Sequence, residues 1–340
     1  MESNMKKEVS FLMCIVLIGT LAVVCGYAVN LRAGIGQGSQ VVLKLGHGLD
    51  PSHPVHKAME FMNERLAELS GGTVKMDIYP SSVLGSEVQC IEQLQYGLLD
   101  MTKTSTASIE NFVSDMSVFG LPYLFRDEVH YWDVLTSDVG RELLERTQSK
   151  NLRGLCYYDS GSRNFYTKDR PILTPDDLKG LKIRVMNSRT AMDMVKALGA
   201  APTPIAWGEL YTALAQGTVD GAENNPPSFT TNKHYEICRH FSKDGHTRIP
   251  DVVLISTKTW QSLDPQVRKW IQKAADESSV FQRKLWKEKT IQSLEEAKAD
   301  GVTIYEVDQS LFAEKVKPMY EAIENEKIKD LVDRIRKVKP

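Results

Sequence analysis

Asp264 and Pro265 open a segment in which no glycine or proline appears again before Gly301. An aspartate can cap a helix N-terminus, and proline in the first turn loses only an N–H that has no partner there anyway. Val267, Trp270, Ile271, Ala274, Phe281 and Leu285 then continue in helical register, which marks them as one apolar face. A helix of about 35 residues is roughly 50 Å long, more than the diameter of one small lobe. A chain containing it must build two lobes that the helix spans, or kink the helix between them.

The other end of the chain sets the compartment. Lys6 and Lys7 precede an uncharged run from Val9 to Leu31, most apolar between Phe11 and Val24. This is the pattern of an export signal. The run is also long enough to cross a bilayer, so an uncleaved anchor, tethering an exported protein by residues 9–31, is the competing reading. Residues 1–29 are thus signal or anchor. Cys25 follows Val24, where lipoprotein processing wants a small residue. Residues 30–40 read as a flexible tether. Their Gly34-Ile-Gly-Gln-Gly stretch precedes a strand instead of following one, so it lacks the context of a dinucleotide fingerprint.

Charged residues make up 25% of the chain with a formal net charge of −2. Removing Met1 to Gly26 takes away Glu2, Glu8, Lys6 and Lys7 together and leaves that balance unchanged. With no basic stripe, a nucleic-acid partner is not expected. Beyond Cys14 and Cys25 the cysteines are Cys90, Cys156 and Cys238, an odd set without metal-ligand spacing. They read as small buried hydrophobes, and no metal or cofactor is expected.

From Val41 the pattern alternates. Strands are expected at 41–45, 74–79, 101–104 and 152–158, and helices at 55–69, 87–98 and 129–146, with Gly46, Pro54, Pro80 and Gly85 as punctuation. Such alternation favours an α/β lobe with a mainly parallel sheet. This first lobe is assigned residues 41–160, with a return segment at about 251–265. A second lobe, 161–250, opens with a strand at 164–167, a short helix capped by Thr174 with Pro175 in its first turn, and a strand at 181–186. Leu181, Ile183 and Val185 share one face of that last strand; Lys182, Arg184 and Met186 share the other. Ala191, Met194, Val195 and Leu198 form the core stripe of the next helix, which Gly199 ends. The spanning helix takes residues 266–300, and a C-terminal strand and helices take 301–340.

Arg163 in Asp159-Ser-Gly-Ser-Arg-Asn and Arg184 in Leu181-Lys-Ile-Arg-Val-Met stand at strand ends. With Trp207 and an amide-rich turn at Asp220-Gly-Ala-Glu-Asn-Asn-Pro, they equip an exported protein to grip a small organic anion. Guanidinium offers a planar fork of donors that fits a carboxylate, where lysine offers a point charge.

These pieces occur in a characteristic order: Tyr79-Pro-Ser-Ser-Val-Leu-Gly-Ser-Glu87, Leu121-Pro-Tyr-Leu-Phe125, Gly161-Ser-Arg163, Asp177-Leu-Lys-Gly-Leu-Lys-Ile-Arg184, Gly199-Ala-Ala-Pro-Thr-Pro204 and Val219-Asp-Gly-Ala-Glu-Asn224. From about Val41 to Leu331 the chain resembles the solute-binding subunits of tripartite ATP-independent periplasmic (TRAP) transporters, the DctP family. The resemblance implies a type II periplasmic-binding-protein-like fold: two α/β lobes around a ligand cleft, a long helix across both, and a membrane permease as partner.

By the same resemblance Arg184 clamps the ligand carboxylate and Arg163 is the second cleft arginine, with an inter-lobe salt bridge as its alternative role. Asn224 is the supporting amide, and Trp207 the aromatic against the ligand's flat face, although a lone tryptophan can equally be core. From the first lobe His47, Glu87 and Ser105 are expected to face the cleft, at strand ends and a helix start where open α/β sheets bind ligands. His53 and His56 are expected as capping or surface groups, and Asn225 as turn chemistry.

Glu87, Ser105 and Asn224 beside a carboxylate clamp suit a monoacid with several hydroxyls, since Glu87 would accept from hydroxyls and repel a second carboxylate. Gly-Ser-Arg-Asn-Phe-Tyr-Thr and Glu-Asn-Asn-Pro-Pro-Ser-Phe also resemble the hexuronate-binding branch. The expected ligand is therefore a sugar acid such as glucuronate or galacturonate. Ser105 stands where sialate-binding members carry an acid, and a C4-dicarboxylate or short hydroxy or keto acid is the alternative. An exported enzyme is the competing class, yet the chain has no Gly-x-Ser-x-Gly elbow or His-Glu-x-x-His. A membrane-anchored sensor domain of the same fold is the third.

Overall fold

The computed structural model describes residues 40–339. The leader, the tether up to residue 39 with its glycine motif, Cys14 and Cys25 lie outside the described residues. Among the described residues, no helix is long and apolar enough to cross a membrane.

Two sheets carry the fold. The first has the order β2-β1-β3-β10-β4, built from β1 (Val41–Gly46), β2 (Val74–Tyr79), β3 (Met101–Ser105), β4 (Leu152–Tyr158) and β10 (Asp251–Ser256). The second has the order β11-β9-β5-β8-β6-β7. Its strands are β5 (Arg163–Thr167), β6 (Lys182–Val185), β7 (Ala201–Pro204), β8 (Gly221–Asn224), β9 (His240–Thr247) and β11 (Thr303–Glu306). This is the expected two-lobed α/β architecture, with one correction. The sheets are mixed, because β10 lies antiparallel between β3 and β4, and β5 antiparallel between β8 and β9. The reason is connectivity: β4 leaves the first sheet into β5 of the second, and β9 returns directly into β10. The two crossing strands run side by side, with Tyr158 opposite Asp251 before the crossing and Arg163 opposite Thr247 after it.

Two stretches read from sequence came out differently, and one that was not assigned an element forms a strand. The helix expected at 129–146 is two, Glu128–Thr136 and Asp138–Arg146, because Ser137 is extended and its hydroxyl caps the second by accepting the Val139 N–H. The turn expected at 220–225 holds β8, buried along its whole length between β5 and β6. The Ala201–Pro204 stretch is a strand at the sheet edge, where its two prolines cost no ladder hydrogen bond.

β5 shows why the second lobe needs two cores. Phe165 packs into a cluster with Ile183, Val185, Val195 and Phe312, whereas Tyr166, its neighbour in a period-two strand, packs into one with Leu214, Ala222 and Phe241. The first lobe's core gathers Ile91, Phe119, Leu143 and Val252. The helix Glu326–Lys337 returns to it with Ile328, Leu331 and Ile335, so the C-terminus also ties both lobes. Cys90, Cys156 and Cys238 are buried and free.

The long helix runs 35 residues from Pro265 to Ala299 with Asp264 as its cap. Ile271 and Ala274 are buried as expected, but Phe281 is 37% exposed and stacks on Phe61 of the helix Pro54–Leu69. Beyond Ala275 the face it turns inward includes the polar residues Ser278, Gln282 and Ser293 along with Trp286 and Ala297. That face lies on the crossing strand. Ser278 pairs with the Tyr158 hydroxyl at 2.7 Å, Ser279 donates to the Tyr157 carbonyl at 2.6 Å, and Ser293 meets Thr230 of the second lobe at 2.8 Å.

Candidate functional site

A cavity of about 570 Å³ lies between the lobes, where strand ends of both sheets and the crossing segments converge. Of the seven residues expected there, Arg184, Arg163, Asn224, Trp207, Glu87 and Ser105 line it; His47 does not.

Arg184 is on the interior strand β6 and is 2% exposed. Its Nε donates to the Ile205 carbonyl at 2.9 Å, which anchors one edge of the guanidinium, and its Cζ lies 5.8 Å from the Trp207 ring centroid. Nη1 is buried and has no hydrogen-bond partner. Burial pushes its pKa below the ordinary arginine value, the signature of a desolvated cation.

Arg163 is placed very differently. Its Nε and Nη2 donate to the two Glu223 carboxylate oxygens at 2.5 and 2.9 Å, Nη2 also donates to the Glu223 carbonyl at 2.8 Å, and Nη1 donates to Asn224 Oδ1 at 2.9 Å. Glu223 is on β8, the strand next to β5, so the ion pair lies within one sheet and is not the inter-lobe bridge considered from sequence. Burial pushes the Glu223 carboxyl up, but Arg163 and His246 outweigh it and hold it at about 2. Burial likewise works against the His246 imidazolium, yet Asp244 at 2.7 Å and Glu223 at 3.3 Å raise it to about 9. Two cations and two carboxylates thus balance around Arg163, whereas Arg184 has no carboxylate partner among the described residues.

Asn224 Oδ1 accepts from Arg163 and from the Asn225 N–H at 2.9 Å, which orients its amide nitrogen away from them. Asn225 caps the helix Pro226–Thr231 by accepting the Ser228 N–H, the turn role expected of it.

His47 is the correction. Its Nδ1 accepts the Leu49 N–H at 3.1 Å and its other nitrogen meets His56 at 2.9 Å, so the ring is consumed beneath the start of the helix Pro54–Leu69. Burial, with help from the Lys103 charge, depresses its pKa to about 2. His53 takes the cavity position instead. It caps that helix as expected, but it is 1% exposed and not a surface group; its Nε2 reaches Ser228 Oγ of the second lobe at 3.2 Å. His56 is buried as well.

Glu87 begins the helix Glu87–Tyr96 and lines the cavity, but its oxygens are already engaged. Oε1 accepts the Ser105 N–H at 3.2 Å and Lys103 Nζ at 3.4 Å, and Oε2 accepts the Ser108 hydroxyl at 2.7 Å. Ser105 Oγ accepts the Ala107 N–H at 3.3 Å, leaving its proton for another partner. Sequence reasoning missed Lys103 and Asp251, whose 3.0 Å ion pair joins β3 to β10 on the cavity wall. The available signal was a charge inside a strand otherwise free of charge, in Met-Thr-Lys-Thr-Ser and in Asp-Val-Val-Leu-Ile. Trp286 of the long helix also lines the cavity.

A two-lobed α/β protein with a desolvated arginine and a tryptophan in its inter-lobe cavity defines the class of solute-binding proteins. The profile of the bacterial extracellular solute-binding proteins, family 7 (DctP), matches residues 45–327, and the chain belongs to that family. A TRAP periplasmic solute-binding protein of Xanthobacter autotrophicus, solved with bound β-D-galacturonate, is 36% identical with a TM-score of 0.85, covering 87% of this chain and 100% of that one. One from Chromohalobacter salexigens, with bound D-glucuronate, is 33% identical with a TM-score of 0.85, over 87% and 100%. The C4-dicarboxylate-binding periplasmic protein DctP of Rhodobacter capsulatus is 32% identical over 77% of this chain and 79% of its own length.

Proposed function

We propose that this chain captures a hexuronate, galacturonate or glucuronate, outside the cytoplasm and delivers it to a TRAP-type membrane permease. The observation that carries the reading is Arg184, a buried guanidinium facing the cavity with Nη1 unpartnered and no carboxylate in salt-bridge distance among the described residues. A buried charge demands a partner, and a ligand carboxylate would supply two parallel charge-assisted hydrogen bonds.

Trp207 beside it offers a flat apolar surface to a sugar ring, and Asn224, Ser105 and Ser228 offer donors and acceptors to hydroxyls. Arg163 serves this site by holding Asn224. The sugar acids in the two solved relatives support the same class of ligand.

Ligand joins groups from both sheets, so it binds the closed arrangement better than an open one and shifts the population by that difference. The permease then accepts the closed complex. We infer a binding protein and not an enzyme; galacturonate incubated with the protein should be recovered unaltered. The leader read from sequence supports export, and mass spectrometry of the mature N-terminus separates a start near residues 26–34, a diffusing protein, from an intact Met1, an anchored one.

The deciding experiment is a thermal-shift screen with galacturonate, glucuronate, succinate, malate and pyruvate. A ligand at a hundred times its Kd stabilises the native state by about 2.7 kcal/mol, a shift of several degrees. The reading requires that shift from a uronate; a shift from succinate or malate alone would replace it with a C4-dicarboxylate.

A further inference from the structure

We propose that the Lys103–Glu87–Asp251 cluster fixes the charge of the ligand, making the cavity selective for sugar acids with one carboxylate and closed to the corresponding diacids. This rests on the hexuronate reading and deepens it.

Lys103 sits in the middle of β3, 3% exposed, with Nζ 3.0 Å from Asp251 Oδ2 and 3.4 Å from Glu87 Oε1. All three residues line the cavity. One cation shared between two carboxylates leaves a formal charge of −1 in this cluster, with Glu92 adding a further carboxylate to the first-lobe lining, while Arg184 presents a cation without a carboxylate partner among the described residues on the second-lobe wall. A ligand with a carboxylate at one end and hydroxyls at the other matches that polarity.

The donor and acceptor inventory sharpens the match. Glu87 accepts from Lys103, the Ser105 N–H and the Ser108 hydroxyl, which leaves acceptor capacity only on Oε2. The Asp251 carboxylate accepts only from Lys103 among the described residues, through Oδ2, so its Oδ1 is a second acceptor for a ligand hydroxyl beside Glu87, to which sequence reasoning gave that role. A second carboxylate in that position would meet Asp251 and Glu87 at short range, and the nearby cations are already committed, Lys103 to those two carboxylates and Arg163 to Glu223. Lys103 is therefore a masked carboxylate receptor, uncovered by neutralising either of its partners.

Calorimetric titration of wild type, Glu87→Gln and Asp251→Asn with galacturonate and with galactarate, the diacid of the same carbon skeleton, tests this. Wild type should prefer galacturonate by about 100-fold or more, the size of a several-kcal/mol like-charge penalty. Each variant, checked for folding by its melting curve, should cut that ratio at least about tenfold, with galactarate tightening in absolute terms and Asp251→Asn also weakening galacturonate. Wild-type binding of galactarate within about tenfold of galacturonate overturns the proposal even if neither variant folds, as does an unchanged ratio in folded variants. In both cases the hexuronate reading stands. If wild type binds neither sugar acid, that reading falls and this one with it.

Discussion

Gln282 of the long helix holds Asp159 by both of its backbone groups, its Oε1 accepting the Asp159 N–H at 2.7 Å and its Nε2 donating to the Asp159 carbonyl at 2.8 Å. A side-chain amide here does what a neighbouring strand would do. Asp159 begins the crossing from β4 to β5, so the helix acts as an extra strand partner at the hinge. Its polar face is thereby explained.

Gln282→Leu should leave both Asp159 groups buried and unpaired and cost roughly 2 to 4 kcal/mol. Urea unfolding checks it; a loss under about 1 kcal/mol would show that water replaces the amide.

Arg184→Ala should weaken uronate binding by a factor of about 100 or more, because the bidentate partner of a desolvated carboxylate is gone. The melting temperature without ligand should barely move, since the side chain removed was a buried charge without a carboxylate. Arg184→Lys should restore little. Titration calorimetry would refute the clamp if the Ala variant bound within tenfold of the parent.

Arg163→Ala should behave oppositely, losing about 3 to 5 kcal/mol of stability by leaving Glu223 buried against a single imidazolium. Differential scanning calorimetry separates the two arginines.

The His246 pKa of about 9 lies above its ordinary value of 6.5, so its contribution is complete below 6.5 and is lost as pH rises towards 9. Stability should fall by up to about 1.4 kcal/mol per pH unit across that window. Glu223, held at about 2 against 4.5, acts in the acid limb, its contribution disappearing as pH falls from 4.5 towards 2. His246→Asn should flatten the alkaline limb; a pH-independent melting temperature between 6.5 and 9 in the parent would contradict the assignment.

Glu110, before the first-lobe core, accepts the Thr190 N–H at 3.1 Å at the start of the second-lobe helix Arg189–Leu198, and Asn111 donates to the Asn187 carbonyl at 2.7 Å. A carboxylate from one lobe thus caps a helix of the other. Glu110→Ala should raise the ligand off-rate about 3- to 10-fold, the scale of a lost cap, with little change in on-rate. Stopped-flow tryptophan fluorescence reads both, and an effect confined to the on-rate would argue against a closure contact.

What was legible in the chain was whatever repeats locally. The unbroken register from Pro265 to Ala299, the strand alternation from Val41 and the caps at Thr174 and Asp264 follow from periodicity and backbone chemistry, which a window of residues carries in full. The motif order added Arg184, Asn224 and Trp207 to the cavity wall. Ser137 was missed because a capping serine looks like any polar position of a helix, and β8 was misread because a polar, glycine-started strand looks like turn in isolation; neighbours β5 and β6 make Gly221–Asn224 a strand.

Which charges are free was decided only by the tertiary structure. Arg163 and Arg184 are both strand arginines, yet Glu223 arrives from 60 residues away to neutralise one, while the other keeps an open donor. Lys103 and Asp251, 148 residues apart, meet because β10 returns antiparallel beside β3. Periodicity tells a residue which face it occupies; what stands opposite depends on chain crossings that no local pattern encodes.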